Sequence, residues 1–319
     1  MFNHLTAAWR LRRVLLIGGS DAQTLCTQAL LTALGARPDL LPLDAPLPVL
    51  NRALCAGRVS AVILPCLHAL SGSLTDRLHA LHLILGETRE AGVPLRILCA
   101  HEDVYAPHEA QLCAQETAPL GGRTQEGLFQ SILQLYADGF SRGLLGDAAP
   151  SILLRHPPCL GGGHESAAQY SAWCRAILGD ETPVVEHPGA QGTFVHPLDA
   201  ALAALCLGAG ALLGKSRCTG CFNAAPAAHN LCANRTAFAM LARSEGFTRA
   251  PAETHPPRRA AYTPLSGEKL RRICGFSPLL SAGVALSFLM EHERALAVGE
   301  DAARIKRLEQ AETVLSMLA

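Results

Sequence analysis

Three ionisable residues, His101, Glu102 and Asp103, follow directly after the apolar segment LRILCA. Imidazole and carboxylate side chains in such a run can transfer protons or hold a metal ion at the end of a strand. The simpler interpretation is that three polar residues carry the chain from a strand into solvent. The run is therefore a candidate catalytic group, with an ordinary loop as the alternative.

A glycine-containing segment, IGGSDAQTL, stands at residues 17–25, at the end of an apolar run. Gly18 and Gly19 stand where a strand-to-helix turn would hold the phosphates of a dinucleotide. Asp21 would place a negative charge beside those phosphates, and at roughly 4 Å two unit charges repel by about 1–4 kcal/mol. A structural explanation also exists, because Ser20 and Gln23 can form a capping box at the start of the helix.

The 12 cysteines are mostly in apolar segments such as VILPC and RILCA. This placement favours reduced, buried thiols in a cytoplasmic protein over a disulfide framework. Cys218 and Cys221 have metal-ligand or redox spacing, and His229 and Cys232 are close enough in sequence to complete a ligand set. A zinc site needs four ligands, however, and no second CxxC pair exists. We assign no metal site, and the sequence leaves the role of the CxxC pair open.

Composition excludes several classes of partner. The 319 residues carry 27 basic and 27 acidic side chains, so no charge surplus points to nucleic acid or to an anionic membrane. No stretch of 18 uncharged apolar residues predicts a transmembrane helix. The first 13 residues lack the order of charge, apolar core and small residues that is typical of a signal peptide.

Strand-like apolar runs alternate with helical patterns in the first half of the chain. The predicted strands are 14–18, 40–43, 61–65, 95–99 and 151–155, and the predicted helices lie near 22–34, 73–91 and 122–142. Continuous apolar strands that alternate with helices indicate a parallel sheet covered on both faces. We therefore predict an α/β fold, a Rossmann-like doubly wound parallel sheet, whose ligands bind at the carboxyl ends of the strands.

The pattern is looser beyond residue 160. A helical stretch is followed by a strand, a turn and a strand that enters a helix, then by the short strand CFNAAP and a helix at 230–245. The segment 248–264 is rich in Pro, Arg and Ala and predicts an exposed linker. A helical region at 266–318 ends the chain. We predict a dinucleotide-binding-type domain at 1–160 and a smaller α/β substrate-type domain at 161–319, with the chain crossing between them at 187–230.

Several strings, in this order, resemble the extended short-chain dehydrogenase/reductase family, in particular nucleotide-sugar epimerases and 4,6-dehydratases. The resemblance runs from Val14 to about Glu293 and is carried by VLLIGGSDAQTLCTQALLTALGA, HLILGETREAGVP, CAHEDVYAP, LLRHPPCLGGG, GTFVHPLDAALAALCL, CFNAAP and GEKLRRICGFSPLLSAGVALSFLMEHE. No single string is specific, but their order and spacing are. The resemblance implies the predicted fold and an NAD(P)-dependent ancestry.

The resemblance also assigns cofactor positions. The family's turn has the form GxxGxxG, and here Gly18 is followed by Asp21 and Thr24 at the second and third glycine positions. Asp44 stands where relatives hydrogen-bond the adenosine ribose. Gly18, Gly19 and Asp44 are therefore the remnant of a cofactor site, and we expect NAD(P) to be absent or weakly bound.

The family's chemistry requires a tyrosine four residues before a lysine. Gly122 and Glu126 stand at about these positions, and none of the four tyrosines is followed by lysine at that spacing. The chain has only three lysines: Lys215, Lys269 and Lys306. Because no lysine precedes residue 215, a small alignment shift cannot restore the pair.

Other family positions are better matched. His101 stands at the third catalytic position, and Glu102 and Asp103 replace the acid and base of the dehydratases in reversed order. Arg155, Asp199 and Asn223 match positions near the sugar-nucleotide pocket, although a strand-end Arg, a helix-starting Asp and a turn-forming Asn are equally ordinary.

Two functions stay open. The first is a degenerate relative, a pseudoenzyme without the usual redox chemistry, which binds a nucleotide-sugar ligand or assembles as a homo-oligomer or as a heteromer with an active relative. The other is an active NAD(P)-dependent epimerase or dehydratase that uses His101, Glu102 and Asp103. A dimer is expected from the resemblance, through helices at about 73–91 and 122–142. The second helix carries more apolar residues than one buried face needs: Leu128, Phe129, Ile132, Leu133 and Tyr136.

Overall fold

A computed structural model gives the structure of most of the chain. It describes residues 2–101, 104–105, 113–122, 124–144, 149–160, 165–189, 191–192, 194–225, 232–254 and 265–318. Within those ranges, no helix is both long enough and apolar enough to cross a membrane.

Six parallel strands form the central sheet: the five that the sequence predicts, and a sixth, which the sequence indicates only as a short strand beyond residue 160. They are β1 (Arg13–Ile17), β2 (Arg37–Leu41), β3 (Val59–Leu64), β4 (Arg96–His101), β5 (Ser151–His156) and β8 (Gly220–Asn223). Their order across the sheet is β2-β1-β3-β4-β5-β8, and every neighbouring pair is parallel. All residues of β3, β4 and β5 are buried, which is why their sequences are continuous apolar runs rather than alternating ones.

The remaining elements are four short strands and eleven helices within the described ranges. The strands are β6 (Val184–Glu186), β7 (Gln191–Gly192), β9 (Cys232–Ala233) and β10 (Ala252–Thr254); the helices are α1 (Phe2–Trp9), α2 (Ala22–Ala33), α3 (Leu47–Cys55), α4 (Leu74–Glu90), α5 (Gln125–Ser141), α6 (Glu165–Leu178), α7 (Pro197–Leu212), α8 (Asn234–Ser244), α9 (Glu268–Cys274), α10 (Ala282–Val298) and α11 (Glu300–Ser316).

Helices cover both faces of the sheet, which confirms the doubly wound prediction. Buried residues of α1, α2 and α7 belong to one core cluster, together with residues of α6, α8, α10 and α11. Buried residues of α3, α4 and α5 belong to the second cluster. Because side chains alternate across each strand, the sheet contributes to both clusters.

Three elements differ from the sequence prediction. Strand β2 lies at Arg37–Leu41 rather than 40–43, and it includes Pro38, which an edge strand tolerates. Helix α8 begins at Asn234 rather than residue 230. The expected linker at 248–264 contains β10, which pairs in parallel with β6; residues 255–264 lie outside the described ranges.

Helices α1 and α7 approach each other closely. A Cβ atom at Gly208 would lie 2.6 Å from the Trp9 ring, so the glycine is needed for this contact. The Trp9 indole donates a hydrogen bond to the carbonyl of Leu205 at 3.0 Å. Helix α11 packs along α2 and α10, so the last helix contacts the first helix that follows β1.

Candidate functional site at the carboxyl edge of the sheet

The carboxyl ends of β1, β3, β4, β5 and β8 meet at one edge of the sheet. In open α/β sheets this edge is where ligands bind. Most of the predicted site residues follow these strand ends. The structure connects several of them into buried polar networks.

Asp21 is the N-cap residue of α2. Its carboxylate accepts hydrogen bonds from the Thr24 N–H at 2.8 Å and from the Thr24 hydroxyl at 2.7 Å, and the Cys66 thiol donates to it at 3.0 Å. The predicted capping box of Ser20 and Gln23 is therefore wrong. The helix begins one residue later, because an aspartate at position 21 caps it directly.

Gln23 instead faces the strand ends and is almost fully buried. Its amide nitrogen lies 3.1 Å from Nε2 of His156, at the end of β5. Its amide oxygen accepts long hydrogen bonds from the thiol of Cys66 at 3.4 Å and from the thiol of Cys159 at 3.9 Å. Burial raises the pKa of both thiols well above the usual value, with further contributions from Asp21 and neighbouring cysteines. These cysteines are packed, protonated thiols rather than nucleophiles.

His101 is buried at the end of β4, beside the ring of His156 at a centroid distance of 6.3 Å. Its backbone N–H donates to the side-chain oxygen of Gln130 at 3.1 Å. Glu102 and Asp103 lie outside the described residues. The proposed catalytic role of the three residues stays a prediction.

The positions of the expected catalytic pair are structurally changed. Gly122 has φ +59°, and a Cβ atom there would lie 2.1 Å from the backbone nitrogen of Leu128. The backbone thus leaves no room for a tyrosine at this position. Glu126 forms a two-oxygen ion pair with Arg77, at 2.7 and 2.6 Å. Glu126, which the sequence places near the expected lysine position, is therefore an acid that is already paired.

Arg155 and Asn223 are brought together on neighbouring strands, where they are register partners. Tyr105 connects them: the Arg155 guanidinium donates to the Tyr105 hydroxyl at 2.8 Å, and that hydroxyl donates to Asn223 at 2.6 Å. Arg155 also donates to the side-chain oxygen of Gln134 at 2.6 Å. Burial raises the pKa of Tyr105, against the opposing effect of Arg155, so the phenol stays protonated.

Asn223 has further internal partners. Its side-chain amide donates to the carbonyl of Ala114 at 2.9 Å, and its backbone N–H donates to the Glu116 carboxylate at 2.9 Å. Arg155 donates to the Glu116 carbonyl at 3.1 Å. Both predicted substrate residues thus hold residues 114–116 against the sheet.

Asp199 does not join this group. It lies in the first turn of α7, and its carboxylate accepts the backbone N–H groups of Leu279 at 2.9 Å and Leu280 at 3.0 Å. Burial raises the pKa of this carboxyl to about 6, although the two hydrogen bonds oppose the rise. The contacts of Asp199 join α7 to the segment before α10.

Asp44 is exposed in a turn three residues after β2 ends. Gly18 follows β1 closely, and a Cβ atom there would lie 2.4 Å from the Thr24 hydroxyl oxygen. Gly18 is therefore required by the packing of Thr24, independently of any cofactor. Binding of a cofactor by Gly18, Gly19 and Asp44 stays a prediction.

Cys218 and Cys221 pack in different places. Cys218 belongs to the core cluster beside α7, whereas Cys221 packs against the cluster on the other face of the sheet. Among the described residues, no group of three or more His, Cys, Asp or Glu side chains has a geometry that could hold a metal. His229 lies outside those residues.

Sequence reasoning missed the residues that connect the site. Gln23, Cys66, His156 and Cys159 form one network, and Tyr105, Gln134 and Glu116 form part of the other. The available signal was a polar residue at the end of, or shortly after, an apolar strand, as in Cys66 after VILP and His156 after SILLR.

Two features of the site bear on weak or absent NAD(P) binding, which stays a prediction. The N-terminal amide of α2 that would bind a pyrophosphate is taken by the Asp21 carboxylate. That carboxylate also places a negative charge where the phosphates would lie. Gly122 and Glu126 stand near the positions expected for the tyrosine and the lysine, and neither residue has a phenol or an amine.

Comparisons with known proteins identify the fold. No family model matches the sequence, and no curated protein matches it. Among solved structures, the chain is similar to UDP-glucose 4-epimerase from Thermus thermophilus, solved with NAD: TM-score 0.70, 17% identity, covering 88% of this chain and 99% of that one. It is also similar to the dTDP-glucose 4,6-dehydratase DesIV from Streptomyces venezuelae, solved with NAD and TYD, with TM-score 0.72, 14% identity and coverage of 91% and 99%.

A third similar structure is an epimerase from Methanothermobacter thermautotrophicus, with TM-score 0.74, 13% identity and coverage of 91% of this chain and 94% of that one. Identities this low establish architecture rather than activity. The chain has the fold of the extended short-chain dehydrogenase/reductases, in the form found in nucleotide-sugar epimerases and 4,6-dehydratases.

Proposed function

We propose that this protein is a degenerate relative of the NAD-dependent nucleotide-sugar epimerases and dehydratases, without their redox chemistry. The observation that carries the proposal is the Asp21 carboxylate, which caps α2 and accepts two hydrogen bonds from Thr24. A helix N-terminus that is capped by its own acid has lost both the free amide and the electrostatic attraction for a pyrophosphate.

The backbone at Gly122 supports the same function independently. Loss of a tyrosine by a single substitution would leave space for its side chain. Here the space is filled by the backbone of α5, at 2.1 Å from a Cβ atom on Gly122. Both observations support a chain that has lost the family's chemistry and kept its fold.

A nucleotide sugar is the ligand class that we propose for the carboxyl edge of the sheet. One of the similar structures is described with UDP-glucose and NAD. In this chain, Arg155 is buried at the sheet edge, and its guanidinium is committed to Tyr105, Gln134 and the Glu116 carbonyl. A nucleotide sugar would therefore bind without direct help from this arginine unless residues 114–116 move.

Purified protein is expected to carry no NAD(P) and to bind it no more tightly than roughly millimolar. The loss of one charged hydrogen bond costs about 1.5–3 kcal/mol, and repulsion by Asp21 adds about 1–4 kcal/mol. Isothermal titration calorimetry of the full chain with NAD⁺, NADH, NADP⁺ and NADPH measures this. Micromolar binding would contradict the proposal and favour an active enzyme that uses His101.

Two variants separate charge from space in that titration. Asp21→Asn keeps a side-chain acceptor for the Thr24 N–H and removes the charge. The double change Asp21→Gly with Thr24→Gly also restores the family's glycine spacing. We expect NAD(P) affinity to rise in the order wild type, Asp21→Asn, double variant, with no turnover in any of them. Equal affinities in all three would show that the turn does not limit binding.

We propose that the protein assembles through α4 and α5, as a homodimer or with an active relative. Leu128 and Leu135 of α5 are 44% and 58% exposed, and the neighbouring Phe129 is only half-buried beneath Arg77.

Leu135→Glu should shift the mass measured by light scattering from dimer to monomer at tens of micromolar, because a charge would be buried in the interface. Val298→Glu, on the exposed end of α10, is the control. A wild-type monomer without a co-purifying partner would contradict assembly.

A further inference from the structure

A small cavity lies between the N-terminal ends of α2 and α7 and the two last helices, α10 and α11. Its polar lining is formed by His196, His292, Arg307 and Gln310, and its apolar lining by Ala22, Cys26, Leu160, Pro197 and Leu289. Helix α11 lies beyond Glu293, where the sequence resemblance to the epimerases and dehydratases ends. The cavity therefore depends on an element that the resemblance does not cover.

Arg307 brings a buried positive charge to this cavity. The residue is only 9% exposed. Among the described residues, Arg307 forms no ion pair with a carboxylate within 4 Å, and its one described hydrogen-bond contact is His292 Nε2 at 3.4 Å. The cap carboxylate of α2, on Asp21, is engaged by Thr24 and Cys66 instead. A buried charge without a counter-charge is costly, and proteins seldom keep one without a compensating group.

His292 must act as a hydrogen-bond donor here. An arginine can only donate, so His292 Nε2 accepts from Arg307, and the hydrogen of the neutral ring is on Nδ1. That Nδ1 atom is buried and has no hydrogen-bond partner among the described residues. Burial, with the charge of Arg307, lowers the pKa of His292 to about 4, so the neutral form holds at pH 7.

His196 is a second donor of the same kind. It is 5% exposed, and its Nδ1 accepts the Leu198 N–H at 3.2 Å, which places the hydrogen of the neutral ring on Nε2. No acceptor for Nε2 is found within the described parts of the chain.

We propose that this cavity binds a small monovalent anion, of the size of chloride or formate. Among the polar groups that line it, the Arg307 guanidinium has no carboxylate partner in the described chain, and the His292 and His196 rings each carry an N–H without a described acceptor. An anion would supply the missing counter-charge of Arg307. The cavity is too small for a dinucleotide, so this site is separate from the cofactor question.

Thermal unfolding of the full chain tests the proposal. Unfolding is measured with added chloride, formate or phosphate and is compared with unfolding in fluoride at the same ionic strength. Chloride or formate should stabilise the wild type, and the effect should follow a binding curve. At an anion concentration of ten times Kd, the equilibrium constant for folding should rise about 11-fold. Arg307→Gln should abolish this response. Arg304→Gln, on the exposed side of the same helix with 78% side-chain exposure, should retain it.

Bromide soaked into crystals of the wild type gives a second measurement that does not depend on a variant folding. An anomalous peak within hydrogen-bond distance of Arg307 supports the site. Equal salt responses of wild type and Arg307→Gln, or crystals without such a peak, would overturn the proposal. A response to phosphate alone would overturn the assignment of a small monovalent anion.

Discussion

Replacing Gly122 by alanine is expected to lower the free energy of unfolding by about 2–5 kcal/mol. A left-handed backbone costs a non-glycine residue about 1–2 kcal/mol. The added Cβ atom would also overlap the backbone of Leu128 at 2.1 Å and that of Gly127 at 2.3 Å, and such overpacking costs about 1–3 kcal/mol. Urea unfolding of the purified variant measures the loss.

Gly246→Ala is the matched control. Gly246 has a similar φ of +65°, but a Cβ atom there would meet nothing within 4 Å. This variant should lose only the backbone contribution, about 1–2 kcal/mol. Equal losses in the two variants would contradict the steric argument. The same argument predicts that Gly122→Tyr with Glu126→Lys gives a poorly folded protein without turnover, rather than a repaired enzyme.

When the pH is lowered from 7 to 4, the free energy of unfolding of Asp199→Asn is expected to fall by about 3 kcal/mol more than that of the wild type. The folded-state pKa of Asp199 is raised from 3.8 to about 6, so between these values the folded state binds more protons than the unfolded state. Acidification across this window therefore stabilises the wild type, by about 1.4 kcal/mol per pH unit. The amide cannot take up a proton and lacks this contribution.

His196, three residues away, acts in the opposite direction. Burial lowers its pKa from 6.5 to about 3, so the unfolded state binds more protons below pH 6.5, and acidification destabilises the fold. His196→Asn keeps a capping side chain. When the pH is lowered from 7 to 4, its free energy of unfolding should fall by about 3 kcal/mol less than that of the wild type. Urea midpoints at fixed anion concentration measure these differences. Parallel pH curves for all three proteins would refute the opposing roles of the two residues.

The sheet could be predicted from the sequence because its central strands are buried on both faces. Continuous apolar runs such as AVILP and SILLR carry that information locally. The edge strand β2 was displaced in the prediction because three of its five residues are exposed and one is proline. Strand β10 was missed because all three of its residues are exposed and only its pairing with β6 defines it.

The candidate site was predictable only in part. Gly18, Asp21 and the missing tyrosine and lysine are local features, so the loss of the cofactor turn could be argued from spacing. The contact of Gln23 with His156 joins residues 133 positions apart, and Tyr105 joins two strands that are not consecutive in the chain. No periodicity or motif records such contacts, because they arise only when the sheet is assembled.

The packing of α11 on α2 also determines when this protein can finish folding. Residues 300–316 leave the ribosome long after residues 22–33, by about 15–55 seconds at 5–20 residues per second. Until then, the face of α2 that α11 covers is exposed. The cavity that Arg307 lines cannot form before α11 is in place. We therefore expect the packing around α2 to be completed only when the residues of α11 have been made.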